Sequence, residues 1–182
     1  MKNQFLVGEK IYLRPIEESD LNEKYQSWLN NPEVTAYNTH HRFPNYRQNM
    51  LDYFNEVIKS KNNLILGIID KETDEHIGNA ALENIDPINK SAEFAILIGE
   101  KKMWGKGIGK EVLKLLVEHG FNALNLNRIY MGTSADNIGM QKVAEAVGFK
   151  KEGVGRQVFY KNGEYKDTVN YGLLRSEYNG KK

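Results

Sequence analysis

The sequence predicts an α/β (α+β) fold: one mixed sheet of about seven strands flanked by about four helices, in the order βααβββαβαββ. Three observations predict it. Short apolar runs with strand character alternate with stretches that repeat every 3.6 residues, the pattern of a sheet with helices laid on it. One of those stretches, Ile108 through His119, is strongly amphipathic. The chain also closes with two strand-like runs around Asn162-Gly163, a dipeptide suited to a tight hairpin because both positions accept positive φ.

In chain order, Lys10 to Ile16 reads as the first strand. Ser19 and Asp20 can cap a helix through about Asn30, where Pro32 discourages continuation. A second helix runs from about Arg47 to Ser60, with Leu51, Phe54, Val57 and Ile58 on one face. Strands follow at Leu64 to Ile69, His76 to Leu82 and Ala92 to Ile98, with a turn over Asp70 to Glu75 and a break at Asp86-Pro87. A strong helix spans about Gly107 to Leu124, its stripe formed by Ile108, Val112, Leu115, Leu116 and His119. Arg128 to Ser134 is a strand, and Asn137 can cap a short helix that ends at Gly148. Phe149 to Tyr160 and Tyr165 to Leu174 are the last two strands. Nothing reads as a linker or repeat, so residues 1–182 are expected to form one domain with a frayed tail over about 177–182.

Composition narrows the function. With 25 basic and 24 acidic side chains the formal net charge is +1, which argues against a dedicated nucleic-acid binder. Cysteine is absent, which excludes a disulfide scaffold, a thiolate zinc site and a cysteine nucleophile. No run approaches the roughly 20 apolar residues of a membrane helix, and residues 1–9 lack a signal-peptide core, so a cytoplasmic protein is expected. The charge is uneven: residues 1–90 carry net −4 and residues 91–182 net +5. Such a division suits a cation on one side and an anion on the other.

The most informative segment is Trp104-Gly105-Lys106-Gly107-Ile108-Gly109-Lys110, between the fourth strand and the amphipathic helix. Glycine at every second position lets backbone N–H groups turn toward one concavity. The helix behind adds unpaired N–H groups and its positive dipole end. Lys101, Lys102, Lys106 and Lys110 are expected to surround the same point, which suits a pyrophosphate. A dinucleotide loop would need glycine where Lys110 stands, and a P-loop would need Ser or Thr where Glu111 stands. The plain alternative is a helix cap loosened by glycine.

The loop resembles the shared motif of the GNAT N-acetyltransferases, (Arg/Gln)-x-x-Gly-x-(Gly/Ala), here Trp104-x-x-Gly107-x-Gly109. Trp in the first place is similar to the branch holding ribosomal-protein and spermidine acetyltransferases. The resemblance continues in Leu13-Arg14-Pro15 with Asp20, Trp28 through Val34, Ile77-Gly78-Asn79, Ala92-Glu93-Phe94, and Asn137 through Gly148-Phe149. It implies acetyl-CoA (coenzyme A) as the cofactor. Its thioester and pantetheine would lie along Phe94, Ala95, Ile96, Leu97 and Ile98, where the fourth strand splays from the fifth, with backbone N–H groups of that run as oxyanion donors. The pyrophosphate would sit on Met103, Trp104, Gly105, Lys106, Gly107, Ile108, Gly109 and Lys110. Asn137 fits the family's cofactor-contacting Asn and is equally a helix N-cap. Many members place an acidic Tyr four residues before the Gly-Phe that ends the fourth helix. Here Ala144 stands there, which leaves water, the amine's own proton, Ser134 or Tyr130 as proton source.

Glu93 is the candidate catalytic base, because it is the only charge between Ala92 and Ile98. It would draw the amine proton through a water or hold the ammonium. By alternation alone it is also a solvent-facing strand glutamate. His40-His41 lacks zinc-ligand spacing, so no metal is expected, and His119 reads as a half-buried helix residue. The aromatic-rich segment 33–46 is either a substrate wall or a surface loop tucked down by its rings. The closing hairpin, with Phe159, Tyr160 and Tyr165, is the opposite wall or a homodimer contact. The expected function is acetyl transfer to a primary amine, with a small molecule (amino sugar or polyamine) preferred. A protein N-terminus is the alternative and would need an open groove between that loop and the hairpin. A non-catalytic acyl-CoA-binding protein is the third reading.

Overall fold

The run Ile11–Pro15 (β2) begins the main sheet, and a two-residue strand before it, Leu6–Val7 (β1), folds back on it antiparallel. The computed structural model describes residues 3–178. From β2 an antiparallel meander passes through Leu64–Asp70 (β3), His76–Asp86 (β4) and Ser91–Ile98 (β5). Helix Ile108–Asn122 (α3) then crosses over to Arg128–Ser134 (β6), which pairs parallel to β5. The hairpin Lys150–Lys161 (β7) and Glu164–Leu174 (β8) completes a sheet ordered β1-β2-β3-β4-β5-β6-β8-β7. Asn162 and Gly163 have φ of 53° and 85°, as the hairpin turn requires.

Each face of the sheet has its own cover. α3 and the short helix Ile138–Val147 (α4) pack on one side, where Val112, Leu116, Phe121, Ile129 and Met131 are buried together. Glu23–Leu29 (α1) and Arg47–Val57 (α2) cover the other, with Leu21, Tyr25, Trp28, Leu29 and Met50 forming a smaller core.

Several expectations need correction. The sheet has eight strands rather than seven, because β1 is too short to show a periodicity. The first helix begins later: Asn22 caps it by accepting from Tyr25 N at 3.1 Å. Ser19 and Asp20 instead lie in a 3-10 turn, and the Asp20 carboxylate is taken by Arg14. α2 ends at Val57 and buries Met50, while Ile58 is exposed. α3 buries two adjacent columns, Val112-Leu113 and Leu116-Val117, whereas His119 is half-buried as expected, against the Phe5 ring with centroids 5.0 Å apart. The tail is anchored at Glu177, which accepts from Lys150 at 2.6 Å, and at Tyr178, which packs on Phe121. Residues 179–182 of the expected frayed tail, and residues 1–2, lie outside the described residues. Among the described residues no helix is long and apolar enough to cross a membrane.

Candidate active site

β5 and β6 pair only at Ser91–Arg128, Ala92–Ile129 and Glu93–Tyr130. β5 stays paired with β4 as far as Ile98, so the two parallel strands part after Glu93. Gly99 N donates to Ile77 O at 2.9 Å. Bonded pairs alternate along an antiparallel ladder, which turns the N–H groups of Ile96 and Ile98 away from β4 and into the split. Side chains alternate as well: Phe94, Ile96 and Ile98 pack toward α3, and Leu97 packs on the α1 side. Glu93 and Ala95 share the Leu97 face by that alternation.

The glycine loop follows directly. Gly105 and Gly107 have φ of +72° and +85°, and a Cβ on either would meet nothing within 4 Å, so the backbone borders open space. Gly107 is the N-cap of α3, whose first N–H groups face the same opening. Met103 and Ile108 are buried beneath the loop, while Trp104 lies across it and donates its indole N–H to Ile98 O at 2.9 Å. Gly109 touches Ile98 at ordinary contact distance, 3.9 Å from an added Cβ. The four lysines do not converge as expected. Lys101 pairs with Glu33 at 2.7 Å and Lys102 with Glu75 at 3.4 Å, which leaves Lys106 and Lys110 at the loop.

Glu93 faces the α1 side with Glu83 directly opposite on β4 and Tyr130 opposite on β6. Asn84 Nδ2 donates to its Oε2 at 3.2 Å. Burial, and then the Glu93 charge, pushes the Glu83 carboxyl above its ordinary range. The same two causes push up Tyr130, and Tyr53 is pushed to about 12 by burial and then by Glu83. Ala144 is fully buried in the α3 core, so α4 brings no acid to this face. Asn137 caps α4 by accepting from Met140 N at 3.1 Å. Ser134 ends β6 on the same face as Glu93 and Tyr130.

The 33–46 loop is tied to the closing hairpin. Lys161, only 6% exposed, donates to Asn38 O at 3.2 Å and His40 O at 2.7 Å. Arg42 donates to Tyr160 O at 3.1 Å. Tyr37 lines a cavity between loop and hairpin, whereas Phe43 and Tyr46 are exposed, so the rings do not tuck this loop down. Burial, followed by the Lys161 charge, lowers the His40 pKa.

The family description "Acetyltransferase (GNAT) domain" matches residues 10–150. The chain belongs to the GNAT acetyltransferase family. This acetyltransferase is 34% identical to the uncharacterized N-acetyltransferase p20 of Bacillus licheniformis, over 96% of this chain and 98% of the relative. YdaF of Bacillus subtilis, provisionally named a ribosomal N-acetyltransferase, is 36% identical over 58% of this chain and 57% of its own. Among solved structures, the spermidine N-acetyltransferase of Vibrio cholerae, in complex with CoA and spermine, superposes with a TM-score of 0.86. The identity is 26%, over 94% of this chain and 99% of that one. Acetyl-CoA is the acyl donor for the GNAT fold, and the open glycine cradle beside a strand split is a shape that accepts a pyrophosphate with an extended arm.

This acetyltransferase also holds a buried polar network behind the split, most of whose residues carry no local signal in the sequence. Arg14 holds Asp20 with two bonds of 2.7 Å, and His76 Nδ1 lies 3.7 Å from the same carboxylate. His76 Nε2 is 2.8 Å from both Gly78 O and Asn79 Oδ1, and Asn79 Nδ2 donates to Tyr25 OH at 2.9 Å. Trp28 packs its edge on His76 and lies so close over Gly99 that an added Cβ would come within 1.9 Å of the indole. This buried network braces β4 and the end of β5 behind the split. Burial pulls the His76 pKa down despite Asp20, and pushes the Tyr25 hydroxyl to about 12. Arg14 and Asp20 stood out in the sequence; His76 and Tyr25 carry no local pattern that marks them.

Proposed function

We propose that this acetyltransferase moves the acetyl group of acetyl-CoA to the primary amine of a small molecule. The observation that carries the reading is the tie between loop and hairpin through Lys161 and Arg42, which narrows the groove that a polypeptide acceptor would need to a cavity of about 320 Å³. In this reading Met103 through Lys110 hold the pyrophosphate, Phe94 through Ile98 lie along the pantetheine, and Asn137 offers its amide N–H to the same arm. The donor supplies an activated acyl carbon. The N–H groups of Ile96 and Ile98 stabilise the oxyanion that forms there, and Glu93 draws the amine proton through a water or holds the ammonium until it is lost. The thiolate takes its proton from water, from the amine itself, or from Ser134 or Tyr130 on the Glu93 face.

The spermidine N-acetyltransferase neighbour makes a polyamine the first acceptor to assay, and an amino sugar the second. The reading places the enzyme in the cytoplasm. It keeps the exposed Tyr160 and Tyr165 as the homodimer contact, which light scattering measures. Thiol release from acetyl-CoA with small amines and with a peptide N-terminus tests the function. Release with a small amine supports it, and release with the peptide alone supports the ribosomal-type alternative that YdaF's name suggests. CoA retention without turnover supports an acyl-CoA-binding protein.

A further inference from the structure

A cavity of about 320 Å³ opens at the end of β6, between the 33–46 loop and the closing hairpin. Lys161 lines it, buried, with two of its three ammonium hydrogens donated to Asn38 O and His40 O. The cavity's two carboxylates are already engaged. Asp136 and Glu164 both pair with Lys166, at 3.1 and 2.5 Å. Among the described residues no ion pair includes Lys161. Burial, and after it the Arg42 charge, pulls its pKa below that of a free lysine, as expected of a buried cation without a counter-ion.

One face of β6 runs from this cavity to Glu93. Ile129 and Met131 point into the α3 core, so Tyr130, Gly132 and Ser134 lie on the other face, with Glu93 opposite Tyr130. Gly132, between the two larger residues, is exposed and has no side chain of its own; Thr168 and Asn170 of β8 border it, 3.1 and 3.3 Å from where a Cβ would stand. From Tyr130 to Ser134 the strand rises about 13 Å. An acceptor with its amine at Glu93 therefore reaches the cavity with its far end when its ends are separated by a chain of several atoms.

We propose that the cavity takes the far end of the acceptor and that Lys161 selects an anionic group there, a carboxylate or a phosphate. The inference rests on the small-amine reading and narrows it to amines with an acidic tail, away from the polyamine of the Vibrio cholerae neighbour. A buried ammonium with one free hydrogen gains a charge-assisted bond from such a tail and repels a second ammonium.

The test compares kcat/KM, by thiol release, for three acceptors of equal length: 6-aminohexanoate, 6-amino-1-hexanol and 1,6-diaminohexane. A fourth, 5-aminopentyl phosphate, separates phosphate from carboxylate as the source of the anion. The expected order is anion over alcohol over diamine, with the anion preferred over the alcohol by about ten- to a hundredfold. Lys161→Met should erase that ratio, and Lys161→Arg should keep most of it. An equal fall for all acceptors in Lys161→Met, ratio unchanged, would show that Lys161 only ties the loop and overturns the proposal. The wild-type order stands as a measurement even if that variant fails to fold, and a diamine that matches or beats the anion overturns the proposal as well. Small amines acetylated without anion preference sink this inference alone. Transfer only to a peptide sinks the small-amine function with it.

Discussion

Replacing Arg14 with methionine strands a carboxylate. Asp20 is held by two 2.7 Å bonds from Arg14, and its side chain is only 6% exposed. Burial alone would push the Asp20 carboxyl up; the Arg14 hydrogen bonds, the Glu17 N–H and His76 together outweigh it and hold the group below the ordinary carboxylate range. Removing one partner of a buried pair costs about 3–5 kcal/mol, because the remaining charge stays desolvated. At about 2–4 °C per kcal/mol for a chain of this size, Arg14→Met should melt roughly 10 °C lower. The pH dependence has a fixed sign. A depressed pKa gives stability that is present above the unfolded-state value, near 3.9, and is lost as pH falls through the folded one. The gap between wild type and variant is therefore widest near neutrality and narrows as acid protonates Asp20 in the variant. Urea unfolding at about pH 7 and about pH 4 measures both points. The double variant Arg14→Met/Asp20→Asn should recover about 2 kcal/mol of the loss, since it removes the orphan charge. A loss under about 1 kcal/mol at neutral pH, typical of a surface pair, would refute the reasoning. A gap that does not shrink in acid would do the same.

Three further outcomes are expected. Glu93→Gln should lower kcat about a hundredfold or more with little change in the KM for acetyl-CoA, and full activity in that variant would remove the base from Glu93. Gly107→Ala places a Cβ where φ is +85°, so it should cost about 1–2 kcal/mol of backbone strain. Because that Cβ also projects into the loop's opening, the KM for acetyl-CoA should rise more than kcat falls; an unchanged KM argues against the cradle. Gly99→Ala brings a Cβ within 1.9 Å of the Trp28 indole, and the overpacking should cost about 1–3 kcal/mol in a thermal melt. A melt equal to wild type would mean that Trp28 is not fixed over the end of β5.

Where one physical pattern dominated, the sequence was readable. α3 lies within the predicted bounds because its apolar spacing is continuous, and the Asn162-Gly163 turn has the two positive φ values that its residues favour. β1 was not readable, since two residues carry no period; it exists because Phe5 N bonds Leu13 O and Gly8 N bonds Ile11 O. Ser19 and Asp20 look like caps for α1, but Arg14 on β2 takes the Asp20 carboxylate and Asn22 caps the helix instead. The loop glycines announced their geometry, but lysine density says nothing about direction, and distant Glu33 and Glu75 redirect two of the four. Nothing in the local sequence marks Lys161 as buried. Only the approach of residues 38–40, far away in the chain, buries it.

The seam between β5 and β6 joins the two parts of the sheet at three paired positions, ending at Glu93 and Tyr130. Any molecule that accepts hydrogen bonds from Ile96 and Ile98 while touching β6 acts as a missing rung between the two parts. Its concentration then enters the stability of the fold, by about 2.7 kcal/mol at a hundred times its dissociation constant. Hydrogen exchange along β5 and β6 should therefore slow when such a molecule is added, while the meander from β2 to β4 changes little.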